Sequence, residues 1–285
     1  IYTVTFYAGA NGNITGETTQ NIPHGSDSTS VTAVPNTGYH FLNWTGSATS
    51  TDNPLTVKNV TNNMNFTANF AINTYTVTFS TGPNGSISGK IIQTINHGAD
   101  AEAVSAIPET GYHFLNWTGS ATSIDNPLTV KNVTSNMNFT ANFEINSYTV
   151  IFITDGTPGA TLSGEPTQIV THGSNCSAVT ANAPVGYDFI KWNINGTDST
   201  DNPITMKNVT SNMTVTANFK IKTYTVTFNA GANGMLEGET SQLINHGSKT
   251  SPVTAVPDTG YHLLDWTGSV ASAENPLIIT NVTSD

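Results

Sequence analysis

One pattern, written four times, constrains this chain more than any other feature. The stretch Gly38-Tyr39-His40-Phe41-Leu42-Asn43-Trp44 returns at Gly111 to Trp117, Gly186 to Trp192 and Gly260 to Trp266. It holds every tryptophan of the 285 residues, at separations of 73, 75 and 74 (44 to 117, 117 to 192, 192 to 266). A fixed period means that the chain is built from copies of one supersecondary unit, so the fold to be explained is that of the unit.

The unit reads as β-structure. Tyr2, Val4 and Phe6 alternate with Thr3 and Thr5, the pattern of a half-buried strand. Asn11-Gly12 is a strong hairpin signal, with a return strand over 13–16. Ile22-Pro23-His24-Gly25 ends an extended piece or a single helical turn, where Gly25 supplies a positive φ. Further strands are expected over 30–34, through the Tyr39–Trp44 stretch, over 55–60, and from Met64, where Met64, Phe66, Ala68 and Phe70 share a face. Strict alternation would separate Tyr39 and Phe41 from Trp44. A one-residue bulge near Phe41-Leu42 would bring all three to one face, which a module with one covered face requires. The expected structural core therefore holds Tyr39, Phe41 and Trp44, then Tyr112, Phe114 and Trp117, Tyr187, Phe189 and Trp192, and Tyr261, Leu263 and Trp266.

The period sets four modules, at 1–74, 75–147, 148–223 and 224–285. Inward residues are even-numbered through Ile72 and odd from Tyr75, so the chain changes face across Asn73-Thr74. A joint this short, without Gly or Pro, is stiff compared with a Gly/Ser tether, and four modules in series are expected to make an elongated rod. Module 3 diverges, with Asp188 for His40, Lys191 for Asn43, and extra residues around 155–158 and 194–195. In module 4, Asp285 aligns with Asn63, so the Met-x-Phe-Thr-Ala-Asn-Phe strand has no counterpart. Its Met and two Phe would each contribute about 1.5–3 kcal/mol of burial. The expectation is a section of a longer array, or a strand supplied by a neighbouring molecule.

Charged residues are 9% of the chain, all eight basic residues are Lys, and the net charge is −11. That balance opposes binding to nucleic acid and to an anionic membrane. No apolar run approaches 18 residues, so no membrane insertion is expected in this segment. Cys176 stands alone, read as a small side chain in a turn. His24, His97, His172 and His246 each precede Gly without metal-ligand spacing, and read as turn residues. Asp52, Asp125, Asp201 and Glu274 place one acid per Asn-Pro loop, short of the oxygens that calcium needs; with Asn53 and its counterparts they read as caps bonding their own backbone. Lys58, Lys131 and Lys207 read as solvated strand residues. No nucleophile elbow, phosphate loop or dinucleotide fingerprint occurs. The chain is therefore read as no enzyme, with no catalytic residue, metal or cofactor. Sequons at Asn43, Asn59, Asn65, Asn116, Asn132, Asn138, Asn208, Asn212 and Asn281 mostly have an inward apolar middle residue, which turns Asn outward for N-glycosylation. Strands rich in Asn and Thr also make sequons by chance.

Tyr-Thr-Val-Thr-Phe, Gly-x-Ile-x-Gly, Gly-Tyr-x-Phe-x-x-Trp, Asp-Asn-Pro-Leu-Thr-Val and Met-x-Phe-Thr-Ala-Asn-Phe, in that order, resemble the divergent internalin-B-type B-repeat family along the whole chain. The resemblance implies a β-grasp-related module in tandem on secreted and surface-anchored microbial proteins, serving as spacer or adhesive stalk and without defining catalytic residues. No segment here has the 3.6 periodicity of a grasp helix. The resulting expectation is an all-β, β-grasp-like chain with little helix. It is extracellular or at the cell surface, acting as a stalk, spacer or filament. Its expected partners are further copies of the repeat, in the same chain or a neighbouring subunit. The alternative is an adhesin or carbohydrate-binding module that meets surface glycans or proteins through its loop tips.

Overall fold

In repeat 1 the alternation of Val4 and Phe6 with threonines builds β1 (Tyr2–Ala8), and the chain then forms β2 (Gly12–Thr15), β3 (Thr19–Ile22), β4 (Thr32–Pro35), β5 (Tyr39–Gly46) and β6 (Met64–Ile72). The computed structural model describes all residues from Ile1 to Asp285 and contains no helix. It divides into two compact units, Ile1–Ile145 and Asn146–Asp285.

Strands β3, β1, β6 and β5 lie side by side in one sheet, while β2 and β4 pair separately. The first and last strands are the central pair and run parallel, with Val4 beside Met64, Phe6 beside Phe66 and Ala8 beside Ala68. A parallel pair needs a long crossover, usually helical. Here the crossover carries the β2–β4 ribbon and β5, and the helix of a grasp fold is absent. The Asn11-Gly12 turn, where Asn11 has φ 70°, does not close a hairpin on β1 as the sequence suggests. It hands the chain to the second layer, where Ile14 faces Ala33. Residues 55–60 are also not a strand: Leu55 makes one bridge to Val31, and Val57 and Val60 enter the core from irregular backbone.

Register between β5 and β6 shifts between Phe41 and Asn43. This is the bulge, and it falls on Leu42, which is left 53% exposed. Phe41 and Trp44 thereby turn to the same side, with ring centroids 5.8 Å apart. Trp44 is fully buried and meets Phe6 edge-on. Tyr39 stands outside this cluster, half-buried at the end of the sheet.

Repeats 2 and 3 reproduce the plan. In repeat 3, Tyr187–Ile194 runs into an added hairpin strand, Thr197–Ser199, which makes a five-stranded sheet. In repeat 4 the sheet is reduced to Thr223–Thr227 paired with Ser241–Asn245, and the ribbon to Gly234–Glu237 with Thr254–Pro257. No strand forms over 261–265. Each repeat has its own buried cluster, and that of repeat 4 is the smallest: Phe228, Val253 and Leu277.

Candidate functional site at the repeat joints

The residues that recur without serving the core converge on the joint between consecutive repeats. In the first unit Asn73 lies between β6 and the next repeat's first strand, Thr74–Thr81. Its N–H donates to the Gly38 carbonyl at 2.8 Å, and its own carbonyl accepts from the His97 N–H at 2.8 Å. The linking residue is thus tied by backbone bonds to both neighbours. The His97 ring lies against Gly38, where a Cβ would fall 2.3 Å from Cδ2. Gly38 also has φ +83°, so only glycine suits the position. The other side of His97 meets Tyr75, with centroids 5.9 Å apart and the hydroxyl 3.4 Å from Nδ1.

The second unit repeats this joint with different side chains. Lys222 donates its N–H to Gly186 and accepts from His246, at 2.8 and 2.9 Å. A Cβ on Gly186 would lie 2.2 Å from the His246 ring. In the first joint His40 Nδ1 sits 2.8 Å from Asn73 Oδ1; in the second, Asp188 and Lys222 take those places with N–O 3.4 Å. The divergence of repeat 3 at Asp188 is therefore half of a paired exchange, polar for polar in one joint and acid for base in the other. The His-Gly histidines do stand at turns, where Gly25, Gly98, Gly173 and Gly247 have positive φ, but His97 and His246 also form the contact between repeats.

The buried polar residues were not visible from sequence pattern. Gln20 is 2% exposed; its Nε2 donates to the carbonyls of Glu17 and Thr29, and its Oε1 accepts the Thr29 N–H. Gln93, Gln168 and Gln242 make the same three bonds. Asn53 does not cap its own loop. It reaches back to β4, accepting from the Ala33 N–H at 2.7 Å and donating to the Ala33 carbonyl at 2.8 Å. Asn126, Asn202 and Asn275 do likewise with Ala106, Ala181 and Ala255. The four Asn–Pro peptides are cis.

The acid before each of these asparagines contributes its carbonyl rather than its carboxylate. The indole N–H of Trp44, Trp117 and Trp266 donates to the carbonyls of Asp52, Asp125 and Glu274, at 2.9–3.0 Å. Trp192 is equally buried, but its Nε1 has no partner. The run from Trp192 to Asn202 is one residue longer than its counterparts, and the added hairpin withdraws Asp201 from the indole.

Of the other core residues proposed from sequence, Phe114 and Phe189 pack beside Trp117 and Trp192 at 5.8 Å. Tyr112 and Tyr187 are half-buried outside the buried clusters, like Tyr39. In repeat 4, Tyr261 is 58% exposed, and Leu263 and Trp266 are half-buried. Among the sequons, Asn43 and Asn116 are half-buried, each with Oδ1 accepting from Asn69 or Asn142 at 2.9 Å. Asn59, Asn65, Asn132, Asn138, Asn208, Asn212 and Asn281 are exposed.

Cys176 is not a surface turn residue. It is 5% exposed in the core of repeat 3, and burial pushes its thiol up, which suppresses thiolate chemistry. Lys58 is exposed and meets Asp27 at 2.8 Å. The Lys58 ammonium and the Asn59 N–H hold the Asp27 carboxyl below its ordinary 3.8. No three His, Cys, Asp or Glu side chains gather as a metal-binding group, and no helix is long and apolar enough to cross a membrane.

Four helix-free copies of one sheet-and-ribbon unit, joined through a single tied residue, define an all-β tandem-repeat protein. The family model for the divergent InlB B-repeat domain matches residues 2–74, 75–147, 149–223 and 224–283. The chain belongs to that family.

Proposed function

We propose that this chain is a tension-resisting spacer of a cell surface or extracellular filament, built from repeats in series with other copies of the same repeat as its neighbours. The observation that carries the reading is the parallel pairing of the first and last strands of each complete repeat. Tension enters a repeat at the start of β1 and leaves at the end of β6. Those adjacent strands are then drawn past each other along their axes, so the hydrogen bonds between them resist together instead of opening one by one. The tied joints, with Asn73 or Lys222 bonded to both neighbours, pass the load on with little slack. Such repeats are typical of surface proteins, and no enzymatic activity is proposed.

Single-molecule pulling on the full chain tests this. Three high-force events from repeats 1–3 and a weaker one from repeat 4, which has no such strand pair, are expected. Uniformly low forces would sink the proposal. A second reading, recognition of a surface glycan or protein, draws on the exposed hairpin tip at 195–197 in repeat 3. Binding on a glycan array that vanishes when the hairpin is shortened to the repeat 1 loop would select it. The seven exposed sequons are the proposed glycan positions, and the intact mass of the native protein before and after deglycosylation checks them.

A further inference from the structure

Repeat 4 contains an open cleft where each of the other repeats holds its last strand. The cleft has a volume of about 550 Å³ and is lined by Thr225–Asn229 on one side, Trp266–Val270 on the other, and Leu277 and Ile279. It continues past Asn229 and Trp266 into a second hollow of about 300 Å³. In repeat 1 the equivalent walls are β1 and β5, and β6 bonds to both.

The walls of the cleft are shaped for that strand. In repeat 1, Gly9 donates its N–H to the Ala68 carbonyl, and a Cβ there would lie 2.5 Å from that oxygen. A Cβ on Gly46 would lie 2.3 Å from the Asn65 carbonyl. The counterparts Gly231 and Gly268 have nothing within 4 Å. Phe6 stacks on Phe66 at 5.7 Å; Phe228, its counterpart, meets Trp266 but no strand partner. At the entrance, Asn63 Oδ1 accepts the Thr3 N–H, and Asp285 Oδ1 takes the same position on Thr225. The bond that sets the register of β6 is therefore already made.

We propose that repeat 4 is an acceptor site for one extended β-strand, inserted parallel to Thr223–Thr227. Its occupant has an apolar residue opposite Val226, Phe or Val opposite Phe228, Ala two residues later and Phe two beyond that. This is the pattern of Met64–Phe70 and of Met213–Phe219. Small Ala is required because Ala68 and Ala217 are fully buried against the indoles of their own repeats. Main-chain bonds to both walls supply affinity, and the alternate side chains supply specificity.

The test uses the full chain and a synthetic peptide of the Met64–Ile72 sequence with a two-lysine tail for solubility. Trp44, Trp117 and Trp192 are already buried, so a shift of tryptophan emission to shorter wavelength reports Trp266. Saturable 1:1 binding with that shift is expected, weakened at least tenfold when the peptide carries Asp at the Phe66 and Ala68 positions. The variant Gly231→Val fits the empty cleft and is expected to leave the melting temperature within a degree while abolishing binding. Absence of binding at millimolar peptide, or equal binding by the Asp peptide, would overturn the proposal. So would retained binding in Gly231→Val. A chain that is already dimeric, and whose dimer Gly231→Val dissolves, would place a second copy in the cleft and also overturn it. None of these outcomes depends on how the complete repeats bear tension.

Discussion

Repeats 1 and 4 carry nearly the same sequence as far as their tryptophans, yet Trp44 is sealed from solvent and Trp266 is half-exposed. The difference lies about twenty residues further on, where repeat 1 has β6 and repeat 4 has an open cleft. What the two repeats share is equally telling. The Gln20 and Gln242 clips are the same, as are the Asn53 and Asn275 bridges and the two-stranded ribbons. The unit therefore has two parts: a polar-clipped scaffold that closes by itself, and an aromatic core that closes only when the last strand lies between its neighbours.

The largest separation between the two repeats is expected at the indole. Trp44→Ala should cost about 3–5 kcal/mol, the usual range for a buried Trp, and Trp266→Ala less than half of that. Denaturant titration of each variant, followed by amide exchange repeat by repeat, checks the difference. Gln20→Leu and Gln242→Leu should lower stability by a similar amount, about 2–3 kcal/mol, because each strands one N–H and two carbonyls in partly buried positions. Unequal costs would show that the scaffold half also depends on the last strand.

Repeat 3 sharpens the comparison from the other side, since its core is complete but one bond is missing. Trp44→Phe gives up an indole hydrogen bond and Trp192→Phe does not. The first should cost about 1 kcal/mol more than the second, read as a difference in denaturation midpoints. The smallest effect concerns acid. Asp27 titrates below its ordinary value in the folded chain. Its contribution is therefore present above the unfolded value and is lost as pH falls through the lower folded one. Repeat 3 has Asn175 at the same place, bonding the Asn208 N–H. Asp27→Asn should flatten the acid limb of the stability of repeat 1 below pH 4 and leave it unchanged at pH 7, measured by thermal melts across that range.

Much of this was legible in the residues. The period, the inward face of β6 and the reversal of face across Asn73 follow from side-chain alternation alone. The bulge at Leu42 follows from requiring Phe41 and Trp44 to share a core. Residues whose partners are distant in sequence were not legible. Asn53 beside a proline is what a local cap looks like, and its bonds to Ala33 exist only because the ribbon passes twenty residues away. Gln20 sits in a polar segment, and nothing in its neighbours marks it as buried. Asn11-Gly12 encodes a turn but not which strand comes next, so β2 was assigned to the wrong partner. His97 was read correctly as a turn residue, but its contact with Gly38 crosses from one repeat to the next, where no periodicity within a repeat can point.

The residue that ties each joint has a consequence for how such a chain can change its length. Gly38, Asn73 and His97 come from two successive copies, yet every copy carries a glycine of the first kind and a histidine of the last. Any duplication or loss of whole periods, wherever the break falls, regenerates a working junction without a new mutation. Gene-level slippage can therefore lengthen or shorten the protein in steps of one repeat, while a partial slip leaves an open groove like the one in repeat 4.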